Sequence, residues 1–531
     1  MTTPHLSPKA QAVIKQITQF RELDAPTHGG RVLSYVYDSG LAELDELAAQ
    51  AARAVQSVNG LDPTTFPSVA MMERDVLGFV RDALNGDNNV VGNVTSGGTE
   101  SCLLAVKTAR DLWRATHQDT PAHQPNNTDP ATPSGASART TPPTVTMPRL
   151  VAPATVHAAF HKAAAYFDLV LDLVDVDPTT GAVNPADVID RLADDVALVV
   201  LSAPNYPYAQ LDPIADVATA TEAANIPLHV DACIGGLALP WWPGLTTPWD
   251  FRVPGVTSIS ADLHKYGYAP KGISVILHRG PHRHRHQYFA VTAWPGYPVV
   301  NPTLLGSKSP GPLAAAWAII TYLGTQGFTD LTAATHRATT TLTTALNRIE
   351  GLTIQGTPTG PLFALVEDTT VPPNRRVNPH LLVDAARTHG WILQAQPGAH
   401  QRTQPDLPQS AHLTITPVTE HHTHDLITAL TTAADTVRGT PSPLTDPDLH
   451  TRVTALIDTL TEPTTNTTLT TALTALGINP TTGDLPNDLS HILAYAQLLP
   501  APIAEQLLTE ILALLVTPTH RKEPDEPPHT H

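Results

Sequence analysis

Short apolar runs alternate with helical patterns through the middle of the chain, and this alternation restricts the fold more than any other feature. Strand-like runs at Leu169–Val176 and Val196–Ser202 are followed by helical patterns at Pro185–Ala193 and Ile214–Ala224. Repetition of this kind predicts a mostly parallel sheet with helices on both faces and right-handed connections. A ligand of such a sheet lies at the carboxyl ends of the strands.

Lys265 lies between two more apolar runs, Gly255–Ile259 and Ile273–Leu277, in the stretch Ser-Ala-Asp-Leu-His-Lys-Tyr-Gly that begins at Ser260. The glycines and proline of this stretch predict two buried strands joined by a turn. Because a buried cation is costly, we expect the pKa of Lys265 to be lowered and its amine to be nucleophilic. The chemistry suited to such an amine is a Schiff base with an aldehyde cofactor. A lone lysine more often reaches solvent from a strand end, so this interpretation depends on the motifs upstream.

Two motifs upstream of Lys265 complete a cofactor site. Asp231 ends the apolar run that begins at Pro227, 34 positions before Lys265, and a buried carboxylate needs a cationic partner. The ring nitrogen of pyridoxal phosphate is such a partner, and the ion pair keeps the ring an electron sink. The segment Thr95–Glu100 places small residues before a helical pattern, which is typical of a phosphate cradle. Each motif is weak alone, but their order along the chain favours a pyridoxal-phosphate site.

Several segments together match the pattern of a known family: Thr95–Lys107, His157–Phe160, Pro227–Gly236, Asp250–Ser260, the lysine stretch to Gly272, and Gly306–Gly311. On these residues the chain resembles the group II pyridoxal-phosphate-dependent decarboxylases, and most closely their sphingosine-phosphate lyase branch. The resemblance runs from about Gly30 to about Asp435 and leaves both ends unmatched. It implies an α/β, transferase-like fold of type I, with a mostly parallel seven-stranded sheet in a large domain and a smaller α+β C-terminal domain.

The resemblance also implies cofactor-binding roles for individual residues. His157 would stack over the cofactor ring and can shuttle a proton, although a lone histidine is usually structural. Gly98 and Thr99 would hold the phosphate from one side and His264 from the other. The full cofactor-binding set is Gly98, Thr99, His157, Asp231, His264, Lys265 and Ser307.

Two residues match the family's candidates for the base that takes a proton from a β-hydroxyl group, Lys271 and Tyr37. Tyr37 belongs to an N-terminal arm that wraps the partner subunit in the family, which implies a homodimer with shared active sites. Alternatively, Tyr37 packs at a dimer seam and Lys271 is a solvent-facing turn lysine. The implied catalytic set is Lys265, His157, Lys271 and Tyr37, without a metal.

The chain departs from the family at three positions. Asp62 replaces a histidine that handles the phosphate end of the substrate, and a carboxylate there would repel a phosphomonoester. Asp62 is equally well interpreted as a turn aspartate before proline. Tyr208 and the following alanine replace His-Gly, which predicts an altered substrate-facing wall. Lys308 stands near a family arginine, and lysine does not reproduce bidentate anion binding.

Composition narrows the possible partners and the compartment. The chain has 531 residues, 41% of them hydrophobic, and a net charge of −18, which argues against a nucleic-acid partner. Cys102 and Cys233 both fall in apolar segments, so we expect free thiols and a reducing cytoplasm. No run approaches the roughly 20 apolar residues of a membrane span. The partner that we expect is therefore a small-molecule amine or amino acid. A group of histidines without cysteine or carboxylate neighbours is interpreted as an exposed loop and not as a metal site: His278, His282, His284 and His286.

The sequence predicts four regions: an N-terminal helical arm (1–75), a large domain (76–311) with a disordered loop at 117–147, a small domain (312–439), and a helical appendix with a flexible tail (440–531). Predicted elements after residue 311 include helices at Leu313–Leu323, Leu331–Ile349, Pro379–Thr388, Thr467–Leu476 and Ile503–Val516, and a strand at Trp391–Gln394.

These observations predict a pyridoxal-phosphate carbon–carbon lyase that acts on the Cα–Cβ bond of a β-hydroxy amine through Lys265. Lys271 favours this reaction, because ordinary group II decarboxylases lack that second lysine in this form. One alternative is an amino-acid α-decarboxylase, which needs little besides a proton donor. A second alternative is a non-catalytic homologue that keeps the fold as an interaction scaffold.

Overall fold

The computed structural model describes residues 6–117, 147–460, 473–474, 478–479 and 489–518. Its main sheet consists of β1 (Val90–Thr95), β2 (Arg149–Pro153), β3 (Val170–Val174), β4 (Val196–Ser202), β5 (Leu228–Asp231), β6 (Val256–Ala261) and β7 (Ser274–Arg279). The seven strands lie in the order β1-β7-β6-β5-β4-β2-β3. Within this sheet β7 runs antiparallel to both neighbours, and the remaining pairs are parallel. The predicted α/β fold with a mostly parallel seven-stranded sheet is confirmed.

The central strands are apolar because both faces of the sheet are covered. Every residue of β4, β5 and β6 is buried. Continuous apolar runs of this kind are typical of parallel strands between two layers of helices. The helices that cover or flank the sheet are α4 (Gly98–His117), α5 (Ala158–Phe167), α6 (Pro185–Ile189), α7 (Ile214–Ala223) and α8 (Pro281–Arg285).

A second, antiparallel sheet lies in the C-terminal part of the chain. It contains β10 (Leu352–Ile354), β11 (Leu362–Glu367), β12 (Gln394–Gln396) and β13 (Ser410–Thr414) in the order β10-β11-β13-β12. Phe363, Trp391 and Leu413 are at most 1% exposed in its core. The long helix α9 (Gly311–Leu346), α10 (Pro379–Thr388) and α11 (Thr423–Val437) pack beside it. The predicted α+β character of this region is confirmed, whereas the division into domains stays a prediction.

The N-terminal arm and the appendix are helical. The arm and the segment after it contain α1 (Pro8–Arg21), α2 (Ala42–Ala54) and α3 (Pro67–Ala83), and the appendix contains α12 (Pro447–Leu460), α13 (Leu489–Leu498) and α14 (Ala501–Leu515). The backbone N–H groups of Leu489 and Ser490 donate to the Asp384 carboxylate of α10, at 3.2 and 3.0 Å. A separate hairpin of β8 (Phe289–Val291) and β9 (Val299–Asn301) precedes α9.

Two local predictions are wrong, and a third is confirmed. The two helices expected after residue 311 are both present, because α9 is broken at Gly324, whose positive φ of 54° glycine adopts without strain; the second helix begins nearer to Gly324 than expected. The strand expected at Trp391–Gln394 is displaced to β12. The histidine group is not an exposed loop throughout, because β7 extends to Arg279 and buries His278, and because the His284 ring lies 2.7 Å from the Asn93 side-chain oxygen.

Some predicted features fall mainly outside the described residues. The loop expected at 117–147 is described at its two ends, and the helix expected at Thr467–Leu476 is described at residues 473–474. The tail beyond residue 518 is likewise outside the described part. Among the helices that the structure describes, none is long and apolar enough to cross a membrane.

Candidate active site

Lys265 lies in the turn that follows β6 and forms an ion pair with Asp262. Its Nζ is 2.9 Å from Oδ2 of Asp262, a side chain that is 2% exposed. Burial lowers the pKa of Lys265, but the Asp262 carboxylate, with Tyr37 and Cys233, outweighs it and raises the pKa well above the ordinary value. The expectation of a lowered pKa is therefore wrong for the chain by itself. That expectation considered burial and left out the carboxylate of Asp262, three positions before Lys265.

Asp231 is the last residue of β5, in register with Ser260 of the neighbouring β6. Its carboxylate accepts a hydrogen bond from the backbone N–H of Cys233 at 3.0 Å, and the Ser260 hydroxyl lies 3.5 Å away. Asp231 is buried, with only 7% of its surface exposed, and it forms no ion pair with any of the described residues. A cationic partner strongly stabilises the charge of a buried carboxylate of this kind.

The turn between β1 and α4 approaches the lysine turn so closely that glycine is required. A Cβ on Gly98 would lie 2.6 Å from Oδ2 of Asp262. The buried Glu100 carboxylate braces this turn, because it accepts the N–H of Ser96 and the N–H of Leu304, each at 2.6 Å. The first N–H groups of an α-helix have no partner inside the helix, and they attract anions. The start of α4, at Gly98 and Thr99, therefore suits a phosphate.

Two histidines line the site. His157 is the N-cap of α5, and its Nδ1 accepts the N–H of Ala159 at 3.1 Å, so the neutral ring carries its hydrogen on Nε2. His264 Nδ1 lies 2.6 Å from the carbonyl oxygen of Ile273, which fixes a hydrogen there. Burial lowers the pKa of His264, against the opposing effect of Asp262, and its Nε2 lies 3.5 Å from that carboxylate.

Lys271 and Tyr37 contact each other beside the Lys265 turn, and neither is among the residues that line the cavity described below. Lys271 Nζ donates to the carbonyl oxygen of His264 at 3.0 Å and lies 4.3 Å from the centre of the Tyr37 ring. Burial and the neighbouring Lys265 lower the pKa of Lys271 to about 8. Burial raises the pKa of Tyr37 to about 12. Tyr37 packs edge-on against Tyr266 of its own chain, and the expectation that the arm carries it to the site of a partner subunit stays a prediction.

A cavity of about 250 Å³ opens at the carboxyl ends of the strands. Tyr206 and Asp262 line this cavity as well, although the sequence did not single them out. Asp262 had a signal, since it stands in the lysine stretch, whereas Tyr206 had none. The Tyr206 hydroxyl donates to Gln394 of β12 at 2.6 Å. The cavity brings six of the predicted residues together: Gly98, Thr99, His157, Asp231, His264 and Lys265.

Ser307 and the three departures from the family pattern lie elsewhere in the chain. Ser307 is not among the residues that line the cavity, and its hydroxyl accepts the Asn59 amide at 3.2 Å. Asp62 is a turn residue whose carboxylate accepts the hydroxyls of Thr64 and Thr65, both at 2.6 Å. These hydrogen bonds lower the pKa of Asp62 to about 2.

The other two departures are likewise not among the residues that line the cavity. Tyr208 is 4% exposed and packs against Gly181, where a Cβ would lie 2.4 Å from its ring. The altered wall predicted at Tyr208 is thus not part of this cavity. Lys308 Nζ donates to the Thr303 hydroxyl at 3.2 Å.

The residues of the cavity fit pyridoxal phosphate. Lys265 supplies an amine, Asp231 supplies a buried carboxylate without a cationic partner, and the start of α4 supplies free N–H groups. A larger cavity of about 680 Å³ lies at the opposite end of the sheet, between Trp113, Ile226 and Arg283. The residues that line it include no lysine, so the chemistry belongs to the smaller cavity.

Comparisons with known proteins agree with this fit. The conserved domain of the pyridoxal-dependent decarboxylases matches residues 35–348. A sphingosine-1-phosphate lyase of Dictyostelium discoideum is 33% identical over 397 residues, which are 74% of this chain and 68% of the relative. A sphingosine-1-phosphate lyase of Rattus norvegicus is 33% identical over 369 residues, 68% of this chain and 60% of the relative.

Solved structures show the same fold. A sphingosine-1-phosphate lyase of Burkholderia pseudomallei has a TM-score of 0.70 at 27% identity and covers 87% of this chain and 96% of its own. A glutamate decarboxylase of Lactobacillus brevis has a TM-score of 0.66 at 20% identity, a likeness of fold alone, and covers 83% and 95%.

The chain belongs to the pyridoxal-dependent decarboxylase family, because the family's conserved domain covers more than half of it. It is a lyase that depends on pyridoxal phosphate, as the sequence predicted. The alternative of a non-catalytic scaffold is therefore wrong. The chain spans 68% and 60% of the lengths of the two curated relatives.

The close approach of Gly98 to Asp262 predicts the effect of a single methyl group. We expect Gly98→Ala to weaken pyridoxal phosphate binding at least about tenfold, or about 1.4 kcal/mol, because the added Cβ would push the start of α4 away from the cavity. The measurement is an absorbance titration of cofactor-free protein. Gly306→Ala is the matched control, since a Cβ there meets nothing within 4 Å, and unchanged binding by Gly98→Ala would contradict the assignment.

Proposed function

We propose that the enzyme cleaves the Cα–Cβ bond of a phosphorylated β-hydroxy amine of the sphingosine 1-phosphate kind. The observation that carries this proposal is the second lysine, Lys271, held beside the Lys265 turn with a lowered pKa. The relatives named sphingosine-1-phosphate lyase support it. Asp62 is a turn residue outside the cavity of its own chain, which supports its interpretation as an ordinary turn aspartate.

The residues of the cavity would hold the cofactor from four directions. Lys265 Nζ would hold its aldehyde carbon, Asp231 would face the ring nitrogen, and the start of α4 with His264 would face the phosphate. His157, whose side chain is exposed, would cover the cofactor ring from the other side. Pyridoxal phosphate, when bound, supplies an electron sink for the bond that breaks at Cα.

Cleavage next to a hydroxyl group needs a base, and Lys271 is the group that fits. An amine with a pKa of about 8 is substantially neutral at slightly alkaline pH and can accept the hydroxyl proton at Nζ. Tyr37, with its pKa near 12, stays protonated and can donate a hydrogen bond but not act as the base. His157 presents a hydrogen on Nε2, which suits the return of a proton to the substrate carbon.

Decarboxylation of an amino acid is the second candidate. This reaction needs no base for a hydroxyl group, so the His157 Nε2–H in the cavity would suffice as a proton donor. It leaves the position and lowered pKa of Lys271 without a role, and for that reason we rank it second.

Product analysis distinguishes the two reactions. The holoenzyme is incubated with sphingosine 1-phosphate, with unphosphorylated sphingosine and with a panel of amino acids. We expect a long-chain aldehyde and ethanolamine phosphate from the first substrate, and loss of both products in Lys265→Ala. Release of CO₂ from an amino acid without aldehyde from any β-hydroxy amine would instead establish the decarboxylase.

The lowered pKa of Lys271 predicts the pH dependence. Because the base must be neutral, kcat/KM for aldehyde release should rise with pH through about 8 and then level off. We expect Lys271→Met to lose about 100-fold or more of this activity and to lose the rise near pH 8, while it keeps bound cofactor. Lys162→Met is the matched control, because its Nζ also lies over a tyrosine ring, at 5.2 Å, but outside the cavity. A rise near pH 8 that persists in Lys271→Met would assign the base to another group.

We also propose a homodimer with shared active sites. None of the residues of α1 is buried, and its apolar side chains Val13, Ile14, Ile17 and Phe20 are each more than half exposed. The β8–β9 hairpin carries further exposed aromatic rings, Phe289, Trp294 and Tyr297. Apolar surface of this extent is typical of an interface between subunits. A second copy docked at the hairpin would bring the nearby Ser307, which its own cavity does not include, toward the partner's cofactor.

The role of the exposed α1 face in dimer formation can be tested by placing charged side chains on it. We expect the double variant Ile14→Glu, Ile17→Glu to sediment as a monomer, because it places two carboxylates in the apolar face. The control, Ala12→Glu with Gln19→Glu, adds the same charge to the opposite face of the helix and should remain a dimer. A dimer that survives in the first variant would remove α1 from the interface.

A cytoplasmic location is part of the same proposal. Cys102 Sγ and Cys233 Sγ lie 4.0 Å apart in the floor of the cavity and are not bonded. Unpaired thiols this close are typical of a reducing compartment. Recovery of the chain from an oxidising compartment in a cell fractionation would contradict the proposal.

A further inference from the structure

We propose that Asp262 keeps Lys265 in its charged form until the cofactor arrives, and thereby sets the pH range in which the protein captures pyridoxal phosphate. Asp262 acts through Lys265 and is thus a positioning residue. The inference concerns cofactor capture and is independent of which substrate the enzyme cleaves.

The geometry leaves the carboxylate and the amine little freedom to separate. Asp262 is 2% exposed, and Oδ2 lies 2.9 Å from Lys265 Nζ. Its backbone is tied into the turn, because its N–H donates to the carbonyl oxygen of Cys233 and its carbonyl oxygen accepts the N–H of Lys265. Gly98 closes the other side, since no Cβ would fit there. The protein itself therefore holds the Asp262 carboxylate beside the Lys265 amine.

Both oxygens of the same carboxylate lie close to the start of α4, the expected phosphate position, and the second of them is left unsatisfied by the described part of the chain. Oδ1 of Asp262 is buried and has no hydrogen-bond partner among the described residues, and it lies beside Gly98 at the start of α4. An unsatisfied buried oxygen is costly, which is typical of a group that changes partner during function. Asp262 could thus affect capture in two ways, through the charge of the lysine or through repulsion of the phosphate, and the two effects are separable.

The other ionisable groups around Lys265 do not replace Asp262. Tyr37 and Cys233 also raise the pKa of Lys265, but both have raised pKa values themselves and are neutral near pH 7, whereas the Asp262 carboxylate, whose pKa is lowered, is charged there. The raised pKa of the Cys102 thiol likewise keeps it neutral. Lys271 and His264 come from the same turn and contribute positive charge or none. Asp231 lies at the end of the neighbouring strand, without an ion pair to the lysine. Asp262 is the carboxylate in contact with the amine, and it is the principal group that raises the pKa of Lys265 against the effect of burial.

Capture requires the uncharged amine. The nitrogen lone pair bonds to the aldehyde carbon, the aldehyde oxygen leaves as water, and the proton of the ammonium ion passes to solvent beforehand. An ammonium ion has no lone pair, so the capture rate follows the neutral fraction of Lys265. A raised pKa makes capture slow at neutral pH and faster as pH rises. Without the carboxylate, burial alone would lower the pKa and move the rise to lower pH.

The experiment measures capture by cofactor-free, full-length protein in a stopped-flow instrument between about pH 6 and pH 10. Two probes are used, pyridoxal phosphate and pyridoxal, which lacks the phosphate. We expect Asp262→Asn to capture both probes at least about tenfold faster at pH 7, which corresponds to a shift of about one pH unit or more in the profile. In the unaltered protein the rate should still be rising at about pH 10.

Each other outcome overturns the proposal. If Asp262→Asn captures pyridoxal phosphate faster but pyridoxal at an unchanged rate, Asp262 acts by repelling the phosphate. Slower capture at every pH with an unshifted profile would mean that it only maintains the turn. Asp250→Asn removes a fully buried carboxylate that pairs with Arg252 and should leave the profile unchanged. If Asp262→Asn does not fold, the unaltered protein decides, because a plateau reached below about pH 10 excludes a lysine held charged.

Discussion

The active site depends on the pairing of two neighbouring parallel strands, β5 and β6. Their register places Asp231 beside Ser260, so the carboxylate and the turn that carries Lys265 meet at one end of the sheet. The apolar residues of both strands are buried under helices, which leaves the pair no freedom to slip. A slip by one residue would turn every side chain to the other face. The paired strands therefore determine where the turn that carries the Lys265 amine lies relative to the Asp231 carboxylate.

The two buried carboxylates at this end of the sheet differ in what balances their charge. Asp262 has a cation of its own chain, Lys265, and Asp231 has none among the described residues. The protein alone thus satisfies one carboxylate and leaves the other to the cofactor. The buried imidazole of His229, between Ser258 and Ser260, lies behind Asp231 and stays neutral because burial lowers its pKa to about 4. No competing cation is supplied from that side.

Much of the fold could be predicted from the sequence where local pattern and burial agree. The apolar run of β4 and the proline-led, Asn-capped α10 have the predicted bounds, because each is determined by its own residues. Gly98, Asp231 and Lys265 were recognisable because each stands at the end or start of such an element. The predicted direction of the Lys265 pKa shift was wrong because it depends on the balance between burial and the charge of nearby Asp262, and the sequence does not give the sizes of these two effects. Tyr206 was missed since its hydroxyl is held by Gln394, 188 positions away in the second sheet, and no local pattern indicates this contact.

The Glu100 carboxylate joins two segments that are distant in the sequence. One of its oxygens accepts the N–H of Ser96 beside the start of α4, and the other accepts the N–H of Leu304 in the segment that follows the β8–β9 hairpin. A single buried side chain, with both oxygens engaged, thus ties these two segments together. Its removal would free both backbone N–H groups at once, so the loop before α4 and the segment after the hairpin would lose their shared anchor.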